Sequence, residues 1–426
     1  MKKKPYILFV LMAIFVFCAL CLSACQYRSG QRWSGNYWYT VENEEVTITG
    51  YIGIATDLTI PDTINGMPVV AIGINAFENG ATLKSITIPD SVVMIDTFAF
   101  SGCDVLERIT LGRGVKIIND YSFADLENMS YNEYENGYYI GNEENPYLAF
   151  VCPQYRDVET VTFHPDTTII CGYAFEHCKA LQEISFPEGI MSISDCALEY
   201  CFALERAYIP KTVEYMGTAV FSQCGALQEI VVADDNAYFK SVDGCLFSYD
   251  GSRLIQYPVA QTVASYRVPD GVVTIEEEAF QEAKHLAEVT FPDSLEEIKL
   301  GAFWDCENLR GIHFGNGLRV IGYSAFSGCL SLTEIVIPDS VEEISDSVFN
   351  GCENLESAVI GSGVVSIDRS VFSNCAALQE IIFRDPTGWK AVAMLSVSSA
   401  KLDLSDPQKN VTYFKEEYAD YWWKKE

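Results

Sequence analysis

The stretch CLSLTEIVIPDSVEEISDSVFNGC, residues 329–352, decides the fold because it begins and ends on a cysteine and holds one complete repeat. Ile335 and Ile337 alternate with positions that point the other way, which is the two-residue period of a strand with one buried face. Pro338 follows, and since proline has no N–H to give to a β-ladder, it ends the strand. The repeat therefore opens with a short, half-buried strand.

The remainder of the repeat predicts a second strand and a compact turn. Val341 and Ile344 begin another short extended segment after an Asp-Ser turn. Phe349, Cys352 and Leu355 recur at every third residue, which is typical of one or two tight helical turns with one inward face. A single coil of this kind cannot bury its own apolar face, whereas a stack of identical coils can.

Phe349 is one of eleven anchor residues, the name used here for the large apolar residue at this position of each coil. Within three blocks the anchors are spaced by 23 residues, and they are Phe77, Phe100, Phe123, Phe175, Leu198, Phe221, Phe280, Phe303, Phe326, Phe349 and Phe372. Three residues after the anchor stand Cys103, Cys178, Cys201, Cys224, Cys306, Cys329, Cys352 and Cys375. A period of this length indicates a solenoid of stacked coils.

The segment Leu332-x-x-Ile335-x-Ile337 is similar to the LxxLxL strand of leucine-rich repeats. With its IP, VxxI, AF and C positions, the unit resembles the bacterial BspA-type leucine-rich repeat, which is also associated with Treponema surface proteins. It differs from ordinary leucine-rich repeats in lacking an asparagine ladder and long convex helices. The predicted fold is an α/β repeat solenoid, a leucine-rich-repeat right-handed coil rich in short strands with short helical turns. A cap is expected at each end, because a bare solenoid end exposes core and strand edges. The resemblance implies a cell-surface protein.

The chain is expected to divide into a signal segment, two end segments and the repeats. The predicted boundaries are 1–24 for a signal peptide, 25–57 for a linker and capping hairpin, 58–385 for the solenoid, hairpin insertions near 127–160 and 232–267, and 386–426 for a C-terminal cap. Two strands around Asp250 and Gly251 predict a hairpin with a type I′ turn in the second insertion. Phe414, Tyr418 and Trp422 recur at every fourth residue and predict an amphipathic helix in the C-terminal cap.

The start of the chain predicts export and lipid anchoring. Three lysines precede an apolar run from Tyr6 to Leu22, which is short for a membrane span. The run ends in Leu-Ser-Ala-Cys, which resembles the lipobox of bacterial lipoproteins, in which Cys25 is acylated. An ordinary signal peptide with a chance cysteine is the alternative. Two acyl chains on Cys25 suffice for stable anchoring in the cell membrane.

Charge and motif content restrict the possible functions. The formal charge of −31 disfavours nucleic acid as a partner, because both molecules would be anionic. The cysteines form no CxxC pair and have no histidines nearby, so no metal site is expected. Eight equivalent cysteines do not suit catalysis, which needs one nucleophile with one oriented base. Small or apolar residues occupy the same position in other coils, which favours buried free thiols over disulfides. No cofactor motif is found, and runs of glutamate such as residues 276–278 are expected to be solvated.

The outward face of the first strand is the candidate partner-binding surface. By alternation, this face contains Tyr208, Val231, Thr290, His313, Val336, Val359 and Ile382 in the C-terminal coils, preceded by a hydroxyl-rich part in the N-terminal coils. An exposed apolar stripe marks partner surfaces, although β-branched residues also occur there for strand propensity alone. The predicted function is a non-catalytic, lipid-anchored adhesion or binding module for a protein or glycan at the cell surface. The alternative is a structural or spacer lipoprotein of the envelope without a specific ligand.

Overall fold

The structure is a computed structural model that describes residues 30–123, 126, 128–393 and 399–425. The chain divides into two compact units. The first unit contains residues up to 132 together with 139–148, and the second contains residues 133–138 together with those from 149 onward. The described residues consist of short strands and turns, with helical structure confined to one α-helix and one π-helical turn near the C-terminus.

Among its described residues, the first unit contains ten strands. They are β1 (Arg32–Ser34), β2 (Tyr37–Glu42), β3 (Glu45–Tyr51), β4 (Asp57–Thr59), β5 (Thr63–Ile64), β6 (Met67–Ile72), β7 (Ser85–Thr87), β8 (Met94–Ile95), β9 (Arg108–Thr110) and β10 (Ile117–Ile118). Two further strands, β11 (Asn132–Tyr134) and β12 (Gly137–Ile140), have residues in both units.

The remaining strands and the α-helix belong to the second unit. The strands of its N-terminal half are β13 (Ala149–Pro153), β14 (Ile169–Ile170), β15 (Glu183–Ser185), β16 (Ser192–Ile193), β17 (Arg206–Ile209), β18 (Tyr215–Met216), β19 (Glu229–Val232), β20 (Phe239–Val242), β21 (Cys245–Ser248), β22 (Arg253–Gln256), β23 (Ser265–Arg267) and β24 (Thr274–Ile275). Those that follow are β25 (Glu288–Thr290), β26 (Glu297–Ile298), β27 (Gly311–His313), β28 (Val320–Ile321), β29 (Glu334–Val336), β30 (Glu343–Ile344), β31 (Ser357–Ile360), β32 (Ser366–Ile367), β33 (Glu380–Phe383), β34 (Trp389–Val392), β35 (Ser399–Lys401), α1 (Pro407–Thr412) and β36 (Trp422–Lys425), with a π-helical turn at Tyr413–Glu417.

Almost every coil contributes a first strand and a second strand, which pair in parallel with the equivalent strands of neighbouring coils, so both units are β-solenoids of leucine-rich repeats. In the second unit, the first strands β29, β31 and β33 pair in parallel, and the second strands β24, β26, β28, β30 and β32 form a separate parallel series. In the first unit, β4, β7 and β9 pair in the same way, as do β6, β8 and β10. The predicted pair of short strands is therefore confirmed in the coils of all anchors except Phe175, before which residues 161–163 form no strand.

The anchor residues stack as a column of rings in the core of the second unit. Ring centroids lie 4.6 Å apart between Phe280 and Phe303, 5.1 Å between Phe303 and Phe326, and 5.8 Å between Phe326 and Phe349. The planes of neighbouring rings are within 13° of parallel at these three contacts. All four side chains are fully buried. The stacking predicted from the 23-residue spacing is therefore confirmed.

The segment around each anchor is a series of turns, whereas the sequence predicted short helical turns. Residues with a left-handed backbone, which an α-helix does not allow, lie before the anchor in eleven coils and after it in ten. Before the anchor these are Asn75, Phe98, Tyr121, Tyr173, Cys196, Ala219, Glu278, Gly301, Ser324, Ser347 and Ser370; after it they are Asn79, Gly102, His177, Tyr200, Gln223, Glu282, Asp305, Gly328, Gly351 and Asn374. This alternation aims backbone N–H groups along the stack, so that Gly301, Phe303 and Asp305 each donate to a carbonyl of the next coil at 2.8 Å.

The second insertion forms a three-stranded antiparallel segment, β20–β21–β22, and β22 then joins the parallel series through β24. Only Gly251 has a positive φ at the β21–β22 turn, so the turn is not of the predicted type I′. Tyr257, one period before Phe280, occupies the anchor position there, with its ring 4.7 Å from that of Phe280. Stacking thus continues through the inserted segment.

The end segments pair with the repeats at both ends of the described chain. In the first unit, β2 and β3 form an antiparallel hairpin, and β3 pairs in parallel with β6. In the second unit, β36 pairs antiparallel with β32. The predicted amphipathic helix through Phe414, Tyr418 and Trp422 is wrong, because the helical segment ends at Glu417 and Trp422 begins β36. Phe414 is instead buried by stacking on Trp423.

Candidate partner-binding face

The residues of the candidate face in the second unit lie in register on three three-stranded parallel sheets. Tyr208 and Val231 are neighbours on β17 and β19. Thr290 and His313 are neighbours on β25 and β27. A third set, on β29, β31 and β33, places Val336, Val359 and Ile382 side by side. The structure thus brings these residues together within each sheet, as the repeat period requires.

Alternation along each strand explains why these side chains face outward. Ile335 and Ile337 on either side of Val336 are buried, whereas Val336 is 48% exposed. His313 is also exposed, and the other members of the face are half-buried. Neighbouring side chains in the row cover one another in part, since paired residues on adjacent strands are in side-chain contact distance. Within each three-stranded sheet these side chains therefore form a short ridge.

A second row of side chains runs beside the apolar one on the same face. Residues two positions apart on a strand point to the same side, so Glu334, Ser357 and Glu380 lie next to Val336, Val359 and Ile382 and are paired in the same register. These carboxylates give the apolar ridge an acidic border.

The part of the face on β15, β17 and β19 is polar and internally bonded. The Tyr208 hydroxyl donates to Glu183 at 3.1 Å, and Arg206 donates to Glu229 at 2.7 Å. The hydrogen bond to Glu183 is the main cause that raises the pKa of Tyr208. Tyr208 is therefore held in position by a neighbouring carboxylate, a constraint that the alternation pattern alone did not indicate.

The ends of the strands carry an ordered ion pair. Asp339, which follows β29, accepts from the backbone N–H of Ser362 at 2.7 Å, and Arg384, which follows β33, lies 2.9 Å from its carboxylate. The backbone hydrogen bond and then the Arg384 contact hold the pKa of Asp339 below its usual range. The border of the face at this end is thus negatively charged but partly neutralised.

The repeated cysteines pack in the core as free thiols. Cys306 and Cys329 are fully buried, and their Sγ atoms donate to the carbonyls of Phe280 and Phe303 at 3.1 and 3.5 Å. Burial raises the pKa of the Cys306 thiol to about 12. A thiol that stays protonated at neutral pH is a poor nucleophile and a poor metal ligand. Cys103, Cys201, Cys224, Cys352 and Cys375 donate in the same way to a carbonyl of the preceding coil, for which a small side chain with a weak donor is suited.

Glu276 was expected to be solvated, and the structure shows this expectation to be wrong. Its side chain is 7% exposed and lies 2.5 Å from Arg253 and 2.8 Å from Lys299. Burial opposes the charge, but the hydrogen bonds from the two cations outweigh burial and lower the pKa of Glu276. The residue lies one coil from each cation, at intervals of 23 residues, so the repeat register contained the signal for this network.

Two further carboxylates lie close together beside the second insertion. Burial, and next the charge of Glu278, raises the pKa of Glu199 to about 7, while hydrogen bonds from Tyr173 and Tyr200 act in the opposite direction. Burial likewise raises the pKa of Glu278. Sequence reasoning missed this pair because the insertion separates their coils along the chain. Within the described residues, no group of three or more histidines, cysteines or carboxylates is arranged to hold a metal ion.

These coils and their outward face define the chain as a leucine-rich-repeat solenoid. A family model described as the BspA type leucine rich repeat region matches it in six copies, over residues 55–144, 149–260 and 256–379. Because these segments cover more than half of the sequence, the chain belongs to the BspA-type leucine-rich-repeat family. The family predicted from the repeat motif is thereby confirmed. No curated protein matches the chain in sequence.

Solved structures of bacterial repeat proteins are similar to the chain. A leucine rich cell surface protein from Faecalibacterium prausnitzii is 30% identical, with 84% of this chain and 95% of that one covered and a TM-score of 0.49. The pneumococcal vaccine antigen PcpA is 25% identical, with 83% and 87% covered and a TM-score of 0.51. A leucine-rich repeat protein of T. pallidum is 20% identical, with 71% and 90% covered and a TM-score of 0.23. The family model that matches the chain describes a repeat region.

Two predictions about the membrane concern the start of the chain. Cys25 and the signal segment 1–24 lie outside the described residues. In the part of the chain that the structure does describe, no helix has the length and apolar character needed to cross a bilayer.

Proposed function

We propose that this chain is a lipid-anchored protein of the bacterial cell surface that binds a protein or glycan partner along the outward face of its first strands. Membership of the BspA-type family supports a non-catalytic binding module, and one of the similar structures is described as a cell surface protein. The lipobox-like sequence before Cys25 supports an anchor of two acyl chains in the cell membrane.

The observation that carries the binding proposal is the apolar ridge of Val336, Val359 and Ile382. These side chains stand side by side on three adjacent strands and point away from the core. Burying such a ridge contributes roughly 25 cal/mol for each Å² of apolar area removed from water. Its acidic border favours a partner with basic or hydrogen-bond-donating groups, in agreement with the net negative charge of the chain.

We further infer that the end segments cap the solenoid, since a bare end exposes strand edges and core. The edge strand β33 is covered by α1, from which the Asn410 side chain donates to the carbonyl of Ile381 at 2.8 Å. β36 occupies the edge of β32, and in the first unit the β2–β3 hairpin occupies the edge of β6. These contacts supply partners for backbone groups that another coil would otherwise satisfy.

Paired substitutions test the binding proposal. Val336→Asp combined with Val359→Asp places two charges on the ridge without touching the core. Val365→Asp is the matched control, because Val365 is also 48% exposed and lies outside the ridge. Binding of each variant to intact cells, extracellular matrix proteins and immobilised glycans is measured by surface plasmon resonance. Loss of at least tenfold in affinity for the double variant, with the control unchanged, is the expected result.

Two outcomes contradict this reasoning. If the double variant binds as tightly as the unsubstituted protein, the ridge is not the binding surface. If the unsubstituted protein binds none of the ligands specifically, the binding function itself fails and a spacer role is favoured. The anchor is tested separately by Cys25→Ala and by inhibition of lipoprotein signal peptidase. Either treatment is expected to release or mislocalise the protein, and unchanged membrane retention refutes the anchor.

A further inference from the structure

Four large apolar side chains are exposed around the first strands of the first unit. Trp33 is 60% exposed, Trp38 40%, Ile52 60% and Ile54 85%. Tryptophan and isoleucine at this exposure leave apolar area in contact with water, and such patches mark surfaces that are covered in the working protein. These four residues are called the tryptophan patch below.

Strand pairing and a backbone hydrogen bond place Trp33, Trp38 and Ile52 at one end of the N-terminal hairpin, and Ile54 follows two residues after Ile52. Trp33 and Trp38 are direct partners in the β1–β2 register, so their side chains share one face. The Trp38 side chain packs over Gly50, since a Cβ atom added to Gly50 would lie 3.4 Å from it. The backbone N–H of Ile52 donates to the carbonyl of Asn36 in the β1–β2 turn at 2.9 Å, which holds Ile52 at the same end.

The hairpin separates apolar and acidic groups. Between residues 30 and 54 the carboxylates are Glu42, Glu44 and Glu45, which stand together at the β2–β3 turn. In the β2–β3 register, the pair of Glu42 and Glu45 lies at the opposite end from Tyr37 and Tyr51, and the β1–β2 turn follows at the Tyr37 end. One end of the hairpin is therefore anionic, and the other is aromatic and apolar.

We propose that the tryptophan patch rests on the lipid bilayer beside the acyl chains of Cys25 and acts as a second, non-covalent membrane contact. This inference depends on the proposed lipid anchor. Six residues separate Cys25 from Arg32, so the first strand starts within about 25 Å of the anchored residue even when that linker is fully extended. Surfaces formed by later residues are joined to Cys25 by longer stretches of chain.

The chemistry of the patch matches the interfacial region of a membrane. Tryptophan combines a large apolar ring with an N–H donor, and it is favoured at the level of the lipid headgroups for this reason. The acidic turn at the far end is directed away from anionic headgroups when the apolar end faces them. The contact fixes how the first unit meets the bilayer, which one flexible lipid tether does not do.

Fluorescence quenching by brominated lipids tests the proposal. The full-length acylated protein is reconstituted into phosphatidylcholine–phosphatidylglycerol vesicles, with and without bromine on the acyl chains, and its acylation is verified by mass spectrometry. The chain has six tryptophans, so insertion of two is expected to remove up to about a third of the emission if the six emit equally. In Trp33→Phe/Trp38→Phe the quenched fraction disappears. Trp304→Phe, which replaces a half-buried tryptophan of the second unit, is the matched control and retains it.

The possible failures are distinguishable. A protein whose mass lacks the lipid refutes the anchor, and with it this inference. An acylated protein whose tryptophan emission is not quenched refutes the membrane contact and leaves the anchor intact. If quenching is absent and the acylated protein forms a dimer that Trp33→Ser/Trp38→Ser dissociates, the patch binds a second copy of the chain and the proposal is likewise overturned.

Discussion

Removal of one ring from the anchor column tests whether the stack supplies the main stabilisation of the second unit. Phe326 is fully buried between the rings of Phe303 and Phe349, at centroid distances of 5.1 and 5.8 Å, and meets the edge of Phe314 at 6.1 Å. Phe326→Ala leaves a cavity of about the size of a phenyl ring between three other rings.

The expected cost follows from transfer and packing terms. Truncation of a buried phenylalanine lowers the free energy of unfolding by about 3–5 kcal/mol. Two stacking contacts are lost as well, each worth about 0.5–1.5 kcal/mol beyond area burial. We therefore expect Phe326→Ala to fall at the upper end of the range, about 4–5 kcal/mol, because the neighbouring rings are held by their own coils and cannot collapse into the cavity.

Guanidinium-induced unfolding, followed by far-UV circular dichroism, measures the change. The matched control is Phe202→Ala, in which a 45% exposed phenylalanine of the same unit is truncated. The control is expected to cost less than about 1 kcal/mol. If both variants unfold at the same denaturant concentration, or if Phe326→Ala costs less than about 1 kcal/mol, the ring column does not stabilise the unit in the way described.

Three further predictions concern charges and thiols. Arg253→Ala is expected to lower the free energy of unfolding by about 1–3 kcal/mol, because it leaves the buried Glu276 without one of its two cationic partners. Arg319→Ala removes the cation of an exposed ion pair and is expected to cost less than about 1 kcal/mol. Equal costs would contradict the burial argument. The pKa of Glu199 is raised to about 7, so the folded state keeps a proton that the unfolded state loses near pH 4.5, and the free energy of unfolding falls as pH rises from about 4.5 to 7. Glu199→Gln is expected to abolish this loss and to gain about 1–2 kcal/mol at pH 8, after allowance for partial exposure. An unchanged pH profile in denaturation curves would refute the argument. Cys306 and the other buried thiols are expected to react with a thiol reagent only after unfolding, and fast labelling of the native protein would disprove their burial.

The features that depend on the repeat period were predictable from the sequence. The alternation of Ile335 and Ile337 identified the first strand, and the 23-residue spacing identified the stacked anchors. Both signals are reinforced in every coil, so local variation does not obscure them. The outward position of Val336 followed from the same alternation, and the structure places it there.

The conformation of the turn segments was not predictable from spacing alone. A three-residue period of buried side chains is compatible with a tight helical turn and equally with a series of turns that alternate right- and left-handed backbone. The choice depends on hydrogen bonds to the next coil, as between Phe303 and Ala325, which no single coil reveals. Backbone partners from neighbouring coils decide the local structure.

The inserted segments and the chain end were the least predictable parts. Tyr257 takes an anchor position although its coil lacks the other signature residues, and only its distance of one period from Phe280 indicates this role. At the C-terminus, Trp422 fits a helical stripe but joins a strand because β32 offers an unpaired edge. At the C-terminus, long-range pairing overrode local periodicity.

The hydrogen bonds between coils also determine how such a chain can change its length. Donors at Gly301, Phe303 and Asp305 meet acceptors at equivalent positions of the following coil. Deletion or duplication of 23 residues rejoins every donor to an equivalent acceptor, whereas loss of a few residues shifts the whole set out of alignment. Within a block of regular coils, changes in chain length are therefore expected to be accommodated in whole coils of 23 residues.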